Sequence, residues 1–356
     1  MKHFLTTQDW AIDDLQRLID GGRAFKRMPR QPLLSGRSIA LVFFNPSLRT
    51  RTSFELGAFH LGAHAVVLQP GKDAWPIEFI PGAVMDGEAE EHVIEAAGVL
   101  SRYVDLIAVR AFPKFIDWQQ DRRDIVINAF AAHATVPVIN METITHPCQE
   151  LAHIMALQEK LGDLAGRKYL LTWTWHPRPL NTAVANSAAM IATRFGMDVT
   201  LLCPNEQYLL DDRYLNVAAA NAEASGASGA SGGSFTISHD IDEAYDGAEI
   251  VYAKSWGALP YFGRWEDEKP MRQTLRHFIV DEPKMARTND AIFSHCLPMR
   301  RNIKATDAII DSPRSLVLEE AENRLHVQKA VMCDLLGCLP DPATTDTESS
   351  AHALAT

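Results

Sequence analysis

The sequence lacks the long apolar runs, the cysteine spacing and the basic excess that mark several large classes of protein. No apolar run approaches the ~20 residues of a membrane span, and no secretory signal is evident near the first residue. The 5 cysteines have no metal-type spacing, and their odd number favours reduced thiols in the cytoplasm. With a net charge of -11, a nucleic-acid partner is not expected.

Nucleotide-binding motifs are also missing. The sequence contains neither Gly-x-Gly-x-x-Gly nor Gly-x-x-x-x-Gly-Lys-Ser/Thr, so neither a dinucleotide site nor a nucleoside triphosphate site is indicated. We therefore expect no cofactor and no metal. Small molecules are the expected partners, because a local basic site inside an acidic protein suits a small anion.

What the chain does have is a regular alternation of short apolar runs with helix-like segments. Its 356 residues suggest about two domains. The alternation predicts an α/β fold with two doubly wound parallel-sheet domains joined by interdomain helices. Strands are predicted at residues 39–44, 64–68, 106–110, 138–140, 169–172, 199–203, 250–253, 292–294 and 316–318.

Breaks in this pattern predict the domain boundaries. Residues 1–145 form the expected first domain and residues 146–319 the second, with a helix at about 320–337. The Ala/Ser/Gly-rich residues 223–234 are predicted to be a flexible surface loop. The polar residues 340–356 are predicted to be a disordered tail.

The most specific pattern is Ser-Leu-Arg-Thr-Arg-Thr-Ser at residues 47–53. It follows an apolar run and an Asn-Pro pair, so it is predicted to open a helix at the end of a strand. Backbone N–H groups at a helix start, hydroxyls and a forked guanidinium are groups that bind phosphate. An N-capped surface helix with solvated arginines is the alternative interpretation.

Further polar residues stand near the ends of predicted strands, where open α/β sheets place ligands. Arg110 closes an apolar run and needs a partner, unless it begins a surface loop. His146 precedes Pro147 at a predicted helix start, with Gln149 one turn later. A purely structural His-Pro helix entry is the alternative.

Cys296 and Arg324 are less distinctive by themselves. Cys296 follows the strand predicted at 292–294, but no His and acid that would make it a nucleophile can be identified, and a buried inert thiol is the alternative. Arg324 lies on a predicted helix, where Glu320 four residues earlier offers a plain ion pair.

Together these strings resemble the motifs of the aspartate and ornithine carbamoyltransferases. The matching strings are residues 47–53, His-Pro-Cys-Gln at 146–149 and His-Cys-Leu-Pro at 295–298. The resemblance implies an enzyme that transfers the carbamoyl group of carbamoyl phosphate to an amine. It implies catalytic roles for Arg110, His146, Gln149, Thr50 and Cys296. It implies a carbamoyl-phosphate site of Ser47, Leu48, Arg49, Thr50, Trp75, Arg110, His146, Pro147, Cys148, Gln149, Cys296, Leu297 and Arg324. It also implies that the helix at 320–337 returns to the first domain, which binds carbamoyl phosphate, while the second binds the acceptor.

The acceptor is indicated by a departure from the ornithine pattern. Ornithine enzymes carry Asp-x-x-x-Ser-Met-Gly, whereas residues 251–257 here read Val-Tyr-Ala-Lys-Ser-Trp-Gly. Lys254 attracts an α-carboxylate and repels an α-ammonium. The sequence therefore predicts an ornithine whose α-amine is acylated.

Two further segments are similar to the N-acetylornithine branch of this family. Residues 71–76, Gly-Lys-Asp-Ala-Trp-Pro, match a loop whose tryptophan reaches a neighbouring subunit, which implies a homotrimer with Trp75 shared between sites. Glu90 matches the acidic position of acetyl-specific members and would repel a succinyl carboxylate, although a solvated acidic run is the alternative. The expected reaction converts N2-acetyl-L-ornithine to N-acetyl-L-citrulline in arginine biosynthesis. The acceptor site implied is Glu142, Lys254, Leu297 and Glu90.

Several alternatives remain open at this point. Lys304 matches a position that can carry a carboxylated lysine in the acetylornithine branch, yet an ordinary surface lysine fits the sequence at least as well. An N-succinylornithine enzyme is the second expectation and an ornithine enzyme the third. A catalytically silent relative that only binds carbamoyl phosphate is the non-enzyme alternative, against which Arg49, Arg110 and His146 speak because all three are present.

Overall fold

A computed structural model describes residues 1–227 and 233–340 of the chain. They form two compact units. Unit 1 comprises Met1–Phe112, Asp124–Met155 and the described residues from Glu322 onward, and unit 2 comprises Pro113–Arg123 and Ala156–Ala321. The chain therefore leaves unit 1 just after Phe112, and returns to it at Asp124.

The strands and helices alternate along both units. The strands are β1 (Ser38–Phe43), β2 (His64–Leu68), β3 (Ile77–Glu78), β4 (Glu91–His92), β5 (Leu106–Arg110), β6 (Val138–Glu142), β7 (Lys168–Trp173), β8 (Asp198–Leu202), β9 (Ser234–Ser238), β10 (Ile250–Lys254) and β11 (Ile292–Ser294). The helices are α1 (Ile12–Arg27), α2 (Arg49–His60), α3 (Val93–Tyr103), α4 (Trp118–Asp121), α5 (Ile125–His133), α6 (Pro147–Leu161), α7 (Ala183–Arg194), α8 (Asp212–Ala227), α9 (Ile241–Tyr245), α10 (Trp265–Thr274), α11 (Glu282–Met285), α12 (Asp307–Ile310) and α13 (Val317–Leu335). Short 3-10 turns lie at Thr7–Asp9, Glu206–Tyr208 and Leu259–Tyr261.

Unit 1 is built on a parallel sheet with the strand order β2-β1-β5-β6. Strand β5 is buried along its whole length and β1 almost so, which is why both read as continuous apolar runs in the sequence. The strand order reverses between β1 and β5. A crevice at the carboxyl ends of the strands is expected at such a point. β3 and β4 form a separate short parallel pair.

Unit 2 is built on a second parallel sheet with the order β11-β10-β7-β8-β9. Here the order reverses between β7 and β10. Both α6 and α13 contain residues of each unit. The predicted fold class, with two doubly wound parallel sheets and helices running from one unit into the other, is confirmed.

Two predictions about elements were wrong. Residues 316–318 are not a strand, because Val317 begins α13 and the amide of Glu320 donates to the carbonyl of Leu316 at 2.9 Å. Glutamates in this first turn favour a helix start. The loop predicted at 223–234 is also too long, since α8 continues to Ala227 and β9 begins at Ser234.

Parts of two expectations lie outside the described residues. These are the middle of the predicted loop, residues 228–232, and nearly all of the predicted tail, residues 341–356. Across 1–227 and 233–340, no helix combines the length and the apolar character needed to cross a membrane.

Candidate functional site

In unit 1, the predicted phosphate segment links the end of β1 to the start of α2. The amide of Thr50 donates to the hydroxyl of Ser47 at 3.1 Å, which closes the turn before the helix. Leu48 is 78% exposed, so this turn opens to solvent. Helix α2 begins at Arg49, and the first amides of a helix have no partner within it. The local structure is therefore one that accepts an anion.

The buried hydroxyl of Thr50 is the centre of the polar cluster. Its Oγ1 accepts from Arg324 Nη2 at 3.1 Å and, at the outer limit of hydrogen bonding, from Arg110 Nη1 at 3.5 Å. Arg324 also donates to Gln149 Oε1 at 2.7 Å. A hydroxyl has two lone pairs and one proton. Because both lone pairs face guanidinium groups, the proton is left for a third partner.

Arg110 and His146 both lie close to the carboxylate of Glu142. Arg110 forms a buried ion pair with Glu142, and His146 Nε2 lies 3.5 Å from the same Oε2 atom. An irregularity between Val109 and Arg110 places Arg110 opposite Glu142 at the ends of β5 and β6. Arg110 is therefore an interior residue, not the start of a surface loop.

Helix α6 brings the remaining predicted residues of unit 1 to the cluster. It begins at Pro147, and His146, Cys148 and Gln149 are all buried. Burial raises the pKa of the Cys148 thiol to about 12, so this cysteine is protonated at neutral pH and is not a nucleophile.

Arg324 is fully committed to this cluster. It reaches Thr50 and Gln149, and the alternative pair with Glu320 is not formed, because that carboxylate contacts Tyr252 and Ser294. Burial lowers the pKa of Arg324 from its ordinary value. Such a buried guanidinium is costly unless it is paired, and an anionic ligand would supply the missing charge.

Unit 2 places a second polar group at the carboxyl ends of β10 and β11. Lys254 closes β10, and its Nζ donates to Cys296 Sγ at 3.4 Å. Cys296 is followed by Leu297, which has a left-handed φ of 54°. That conformation is unusual for a leucine and is found mostly where function demands it.

Lys304 is buried, so the surface-lysine alternative is wrong. It is 2% exposed, and its Nζ lies 3.3 Å from His295 Nε2. Burial, with the nearby charge of Lys254, lowers the pKa of Lys304 to about 7. Arg300 adds to this effect, whereas Arg301 is held on the surface by two aspartates.

The hydrogen bonds of His295 indicate which form of Lys304 fits. The amide of Leu297 donates to His295 Nδ1 at 2.8 Å, so this nitrogen carries no proton and Nε2 does. An ammonium has no lone pair to accept from Nε2–H, whereas a neutral amine has one. The contact is a hydrogen bond when Lys304 is neutral.

His176 and Glu268 were missed in the sequence. His176 follows β7, is buried, and has its pKa lowered to about 4 by burial and by the charges of Lys304 and Arg300. Glu268 is fully buried on α10. A His-Pro pair after an apolar run was the available signal for His176, while nothing local distinguishes Glu268 from its acidic neighbours.

Trp75 and Glu90 are exposed, unlike the residues of these clusters. Trp75 is 66% exposed and Glu90 is also exposed, on the segment that carries β3 and β4. Among the described residues, no group of three or more His, Cys, Asp or Glu side chains is arranged to hold a metal ion.

The fold and its polar residues define a two-unit α/β protein with a buried cluster of Thr50, Arg110, Gln149 and Arg324 in unit 1. Two family models match the chain. These are the carbamoyl-P binding domain of aspartate/ornithine carbamoyltransferase over residues 2–159, and its Asp/Orn binding domain over residues 171–335. The chain belongs to the aspartate/ornithine carbamoyltransferase family.

Individual relatives are similar over nearly the whole chain. The N-acetylornithine carbamoyltransferase of Xanthomonas campestris pv. campestris is 66% identical over 95% of this chain and 98% of its own length. The N-succinylornithine carbamoyltransferase of Bacteroides fragilis is 36% identical over 96% of this chain and 100% of its own. A crystal structure of acetylornithine transcarbamylase complexed with acetylcitrulline has a TM-score of 0.92 and 66% identity, covering 94% of this chain and 99% of that one. These likenesses confirm the prediction of a carbamoyltransferase.

Proposed function

We propose that this chain transfers the carbamoyl group of carbamoyl phosphate to the side-chain amine of N2-acetyl-L-ornithine. The products are N-acetyl-L-citrulline and phosphate, in arginine biosynthesis. The acceptor is supported by 66% identity to N-acetylornithine carbamoyltransferases, against 36% to an N-succinylornithine enzyme. The observation that carries the donor assignment is the buried Thr50 hydroxyl, which faces the guanidinium groups of Arg110 and Arg324.

The proposed donor site uses the polar cluster of unit 1. Ser47, Leu48, Arg49 and Thr50 bind the phosphate, largely through backbone N–H groups and the Arg49 guanidinium, because a helix start and a guanidinium both favour an anion. The remaining contacts assigned to carbamoyl phosphate are Trp75, Arg110, His146, Pro147, Cys148, Gln149, Cys296, Leu297 and Arg324. On this proposal unit 1 is the carbamoyl-phosphate domain and unit 2 the acceptor domain.

The proposed mechanism is electrostatic. The neutral side-chain amine of the acceptor attacks the carbonyl carbon, and negative charge develops on the carbonyl oxygen. The Thr50 proton, Arg110 and His146 stabilise that oxyanion, and stabilisation of this kind often contributes more to catalysis than any other effect. The departing phosphate takes the amine proton, so no enzyme base is needed. Gln149 and Cys296 orient the reacting groups.

Four residues are assigned to the acceptor. Lys254 binds its α-carboxylate, Glu142 and Leu297 position it, and Glu90 disfavours a succinyl group by charge repulsion. The Glu90 assignment is tested by the ratio of kcat/KM for acetyl and succinyl substrates in Glu90→Ser, which should move toward succinyl.

Lys304 is proposed to be carboxylated. A neutral amine attacks carbon dioxide, forming an N–C bond and releasing one proton, and the pKa of about 7 supplies that neutral amine. Isotope-labelled bicarbonate should give a carbamate carbon signal in NMR spectra that is absent from Lys304→Met. An identical signal in the variant would argue against this site.

We also propose that the protein is a cytoplasmic homotrimer. The exposed indole of Trp75 supports a contact with a second copy. All five cysteines are free, as expected of reduced thiols.

The donor assignment is tested by Arg49→Ala. We expect calorimetry to show at least a tenfold loss of carbamoyl-phosphate affinity, about 1.4 kcal/mol, because a charge-assisted contact is removed. Arg51→Ala is the matched control, since Arg51 pairs with Glu55 on the outer face of α2. Equal affinity in wild type and Arg49→Ala would contradict the phosphate assignment.

A further inference from the structure

The last residue of β10 and the four residues after it are held in place by a series of contacts. We call residues 254–258 the acceptor loop. The amide of Thr174 donates to the carbonyl of Lys254 at 2.8 Å, and the hydroxyls of Thr174 and Ser255 lie 3.1 Å apart. The amide of Gly257 donates to the carbonyl of Leu180 at 3.1 Å. Lys254 is therefore presented by a loop with defined geometry.

Tryptophans hold the middle of the acceptor loop. Trp173 Nε1 donates to the carbonyl of Trp256 at 2.9 Å, and Trp256 Nε1 donates to the carbonyl of Tyr208 at 2.8 Å. A Cβ atom on Gly257 would stand 2.7 Å from Pro179 and 2.8 Å from Trp265. The loop has no room to shift toward these neighbours.

The far end of the loop is held by a buried carboxylate on α10. Glu268 Oε1 accepts from the amide of Ala258 at 3.3 Å and from the hydroxyl of Tyr208 at 3.0 Å. Its other oxygen pairs with Arg272, one turn along the helix. Glu268 thus holds the loop at two points, directly at Ala258 and through Tyr208 at Trp256.

This arrangement is costly if stability is its only purpose. Glu268 is 0% exposed and Arg272 is 3% exposed. Burial raises the pKa of Glu268, against the opposing effect of Arg272. Well-packed apolar residues often replace such buried ion pairs without loss of stability. What an apolar pair cannot supply is a directed acceptor for the Ala258 amide.

We propose that Glu268 is a positioning residue that sets the acceptor loop, and through it Lys254, for the α-carboxylate of the acceptor. The inference rests on the proposed function, in which Lys254 binds that carboxylate. Glu268 acts on binding of the acceptor and leaves binding of carbamoyl phosphate unchanged, because its partners Ala258, Tyr208 and Arg272 are not among the residues assigned to carbamoyl phosphate.

The test compares steady-state kinetics of Glu268→Ala and Ala258→Pro in the full-length protein. Ala258 has φ of -70°, which suits proline, so this change removes the amide donor without backbone strain at that residue. It also leaves the Glu268–Arg272 pair intact if Glu268→Ala fails to fold. For each variant we expect KM for N-acetylornithine to rise about tenfold or more, as small misplacements do. The Kd of carbamoyl phosphate should not change.

Glu249→Ala is the matched control. Glu249 pairs with Arg167 at 2.8 Å and accepts from the amide of Lys168 at 3.1 Å. These residues lie at the starts of β7 and β10, whereas the acceptor loop follows the end of β10. This variant should lower Tm without changing KM for N-acetylornithine. A double change of Glu268→Gln with Arg272→Gln retains a neutral acceptor for Ala258 and should keep KM near that of wild type.

The possible outcomes distinguish a failure of this inference from a failure of the proposed function. An unchanged KM for N-acetylornithine in folded Ala258→Pro would overturn the positioning role, as would an equal rise in Glu249→Ala. If wild type itself makes no product from N-acetylornithine, the proposed function fails first.

Discussion

At the scale of single residues, burial determines which groups are charged. The pKa of Cys148 and of Cys203 rises to about 12, and that of His176 falls to about 4. The same physics lowers the pKa of Lys304 to about 7. Burial thus keeps these thiols and this imidazole neutral at pH 7, and it gives Lys304 a large neutral fraction there.

Lys304 makes stability depend on pH. Its ordinary pKa is 10.5, against about 7 in the folded protein, so between these values the unfolded chain binds more protons. Stability should therefore rise with pH across this window, and the cost of burying the ammonium is fully present below it. Lys304→Met should flatten the slope when unfolding free energy is measured by denaturant titration in buffers free of carbon dioxide. Lys269→Met, at an exposed lysine, is the control and should keep the wild-type slope. A wild-type slope in Lys304→Met would contradict the neutral-amine account.

Residues that stand in motifs were easier to predict than residues whose properties come from burial alone. Arg49, Thr50 and His146 stand in short strings whose residue types and spacing carry the chemistry. Glu268 and Lys304 gain their properties from burial, which depends on packing against segments distant in the chain. A sequence pattern does not distinguish such residues from surface charges of the same type.

At the scale of elements, close helix packing in unit 1 depends on two glycines of α1. A Cβ atom on Gly22 would stand 3.0 Å from Val327 Cγ1 and 3.2 Å from Met155 Sδ. One on Gly21 would lie 2.9 Å from Leu339. Val327 lies on α13, the helix that carries Arg324, and Met155 lies on α6, so α1 packs closely against both helices at Gly22.

Gly22→Val should separate these helices. We expect a loss of about 1–3 kcal/mol in unfolding free energy, as overpacked cores show. Circular dichroism during denaturant unfolding, at matched protein concentration, measures it. Gly98→Ala on α3 is the control, because no atom lies within 4 Å of the added Cβ. The unfolding free energy of Gly98→Ala should rise by up to about 1 kcal/mol, because alanine has a higher helix propensity than glycine. Wild-type stability in Gly22→Val would show that α1 is not closely packed there.

Most elements of the fold followed from apolar runs, and the exceptions have physical reasons. Buried parallel strands such as β5 are apolar throughout and are hard to miss. β9 is an edge strand in which polar residues alternate with Phe235 and Ile237, so it does not form a continuous apolar run. Residues 316–318 are as apolar as a strand, but the glutamates that follow make them a helix start.

At the scale of the whole molecule, the two units share one plan. Each sheet is parallel, each has one reversal of strand order, and each carries its main polar cluster at carboxyl strand ends. Most of the residues assigned to the donor belong to unit 1, whereas those assigned to the acceptor are divided, with Glu90 and Glu142 in unit 1 and Lys254 and Leu297 in unit 2. Residues 113–123 belong to unit 2 although the chain before and after them belongs to unit 1, and no pattern in the sequence predicted this.

Sharing of sites between subunits is the prediction at this scale. Mixing inactive Trp75→Ala with inactive Arg49→Ala should restore part of the activity, because some hybrid sites contain neither change. Subunit exchange is verified by mass spectrometry, and each variant mixed with itself is the control. Complete exchange without recovery would argue against a shared site.

The central claim is tested most directly by product formation from carbamoyl phosphate with ornithine, N-acetylornithine and N-succinylornithine in parallel. We predict the highest kcat/KM for N-acetylornithine, with succinylornithine disfavoured by Glu90 and ornithine by Lys254. A higher kcat/KM for either of the other acceptors, or no product from any of them, would contradict the account.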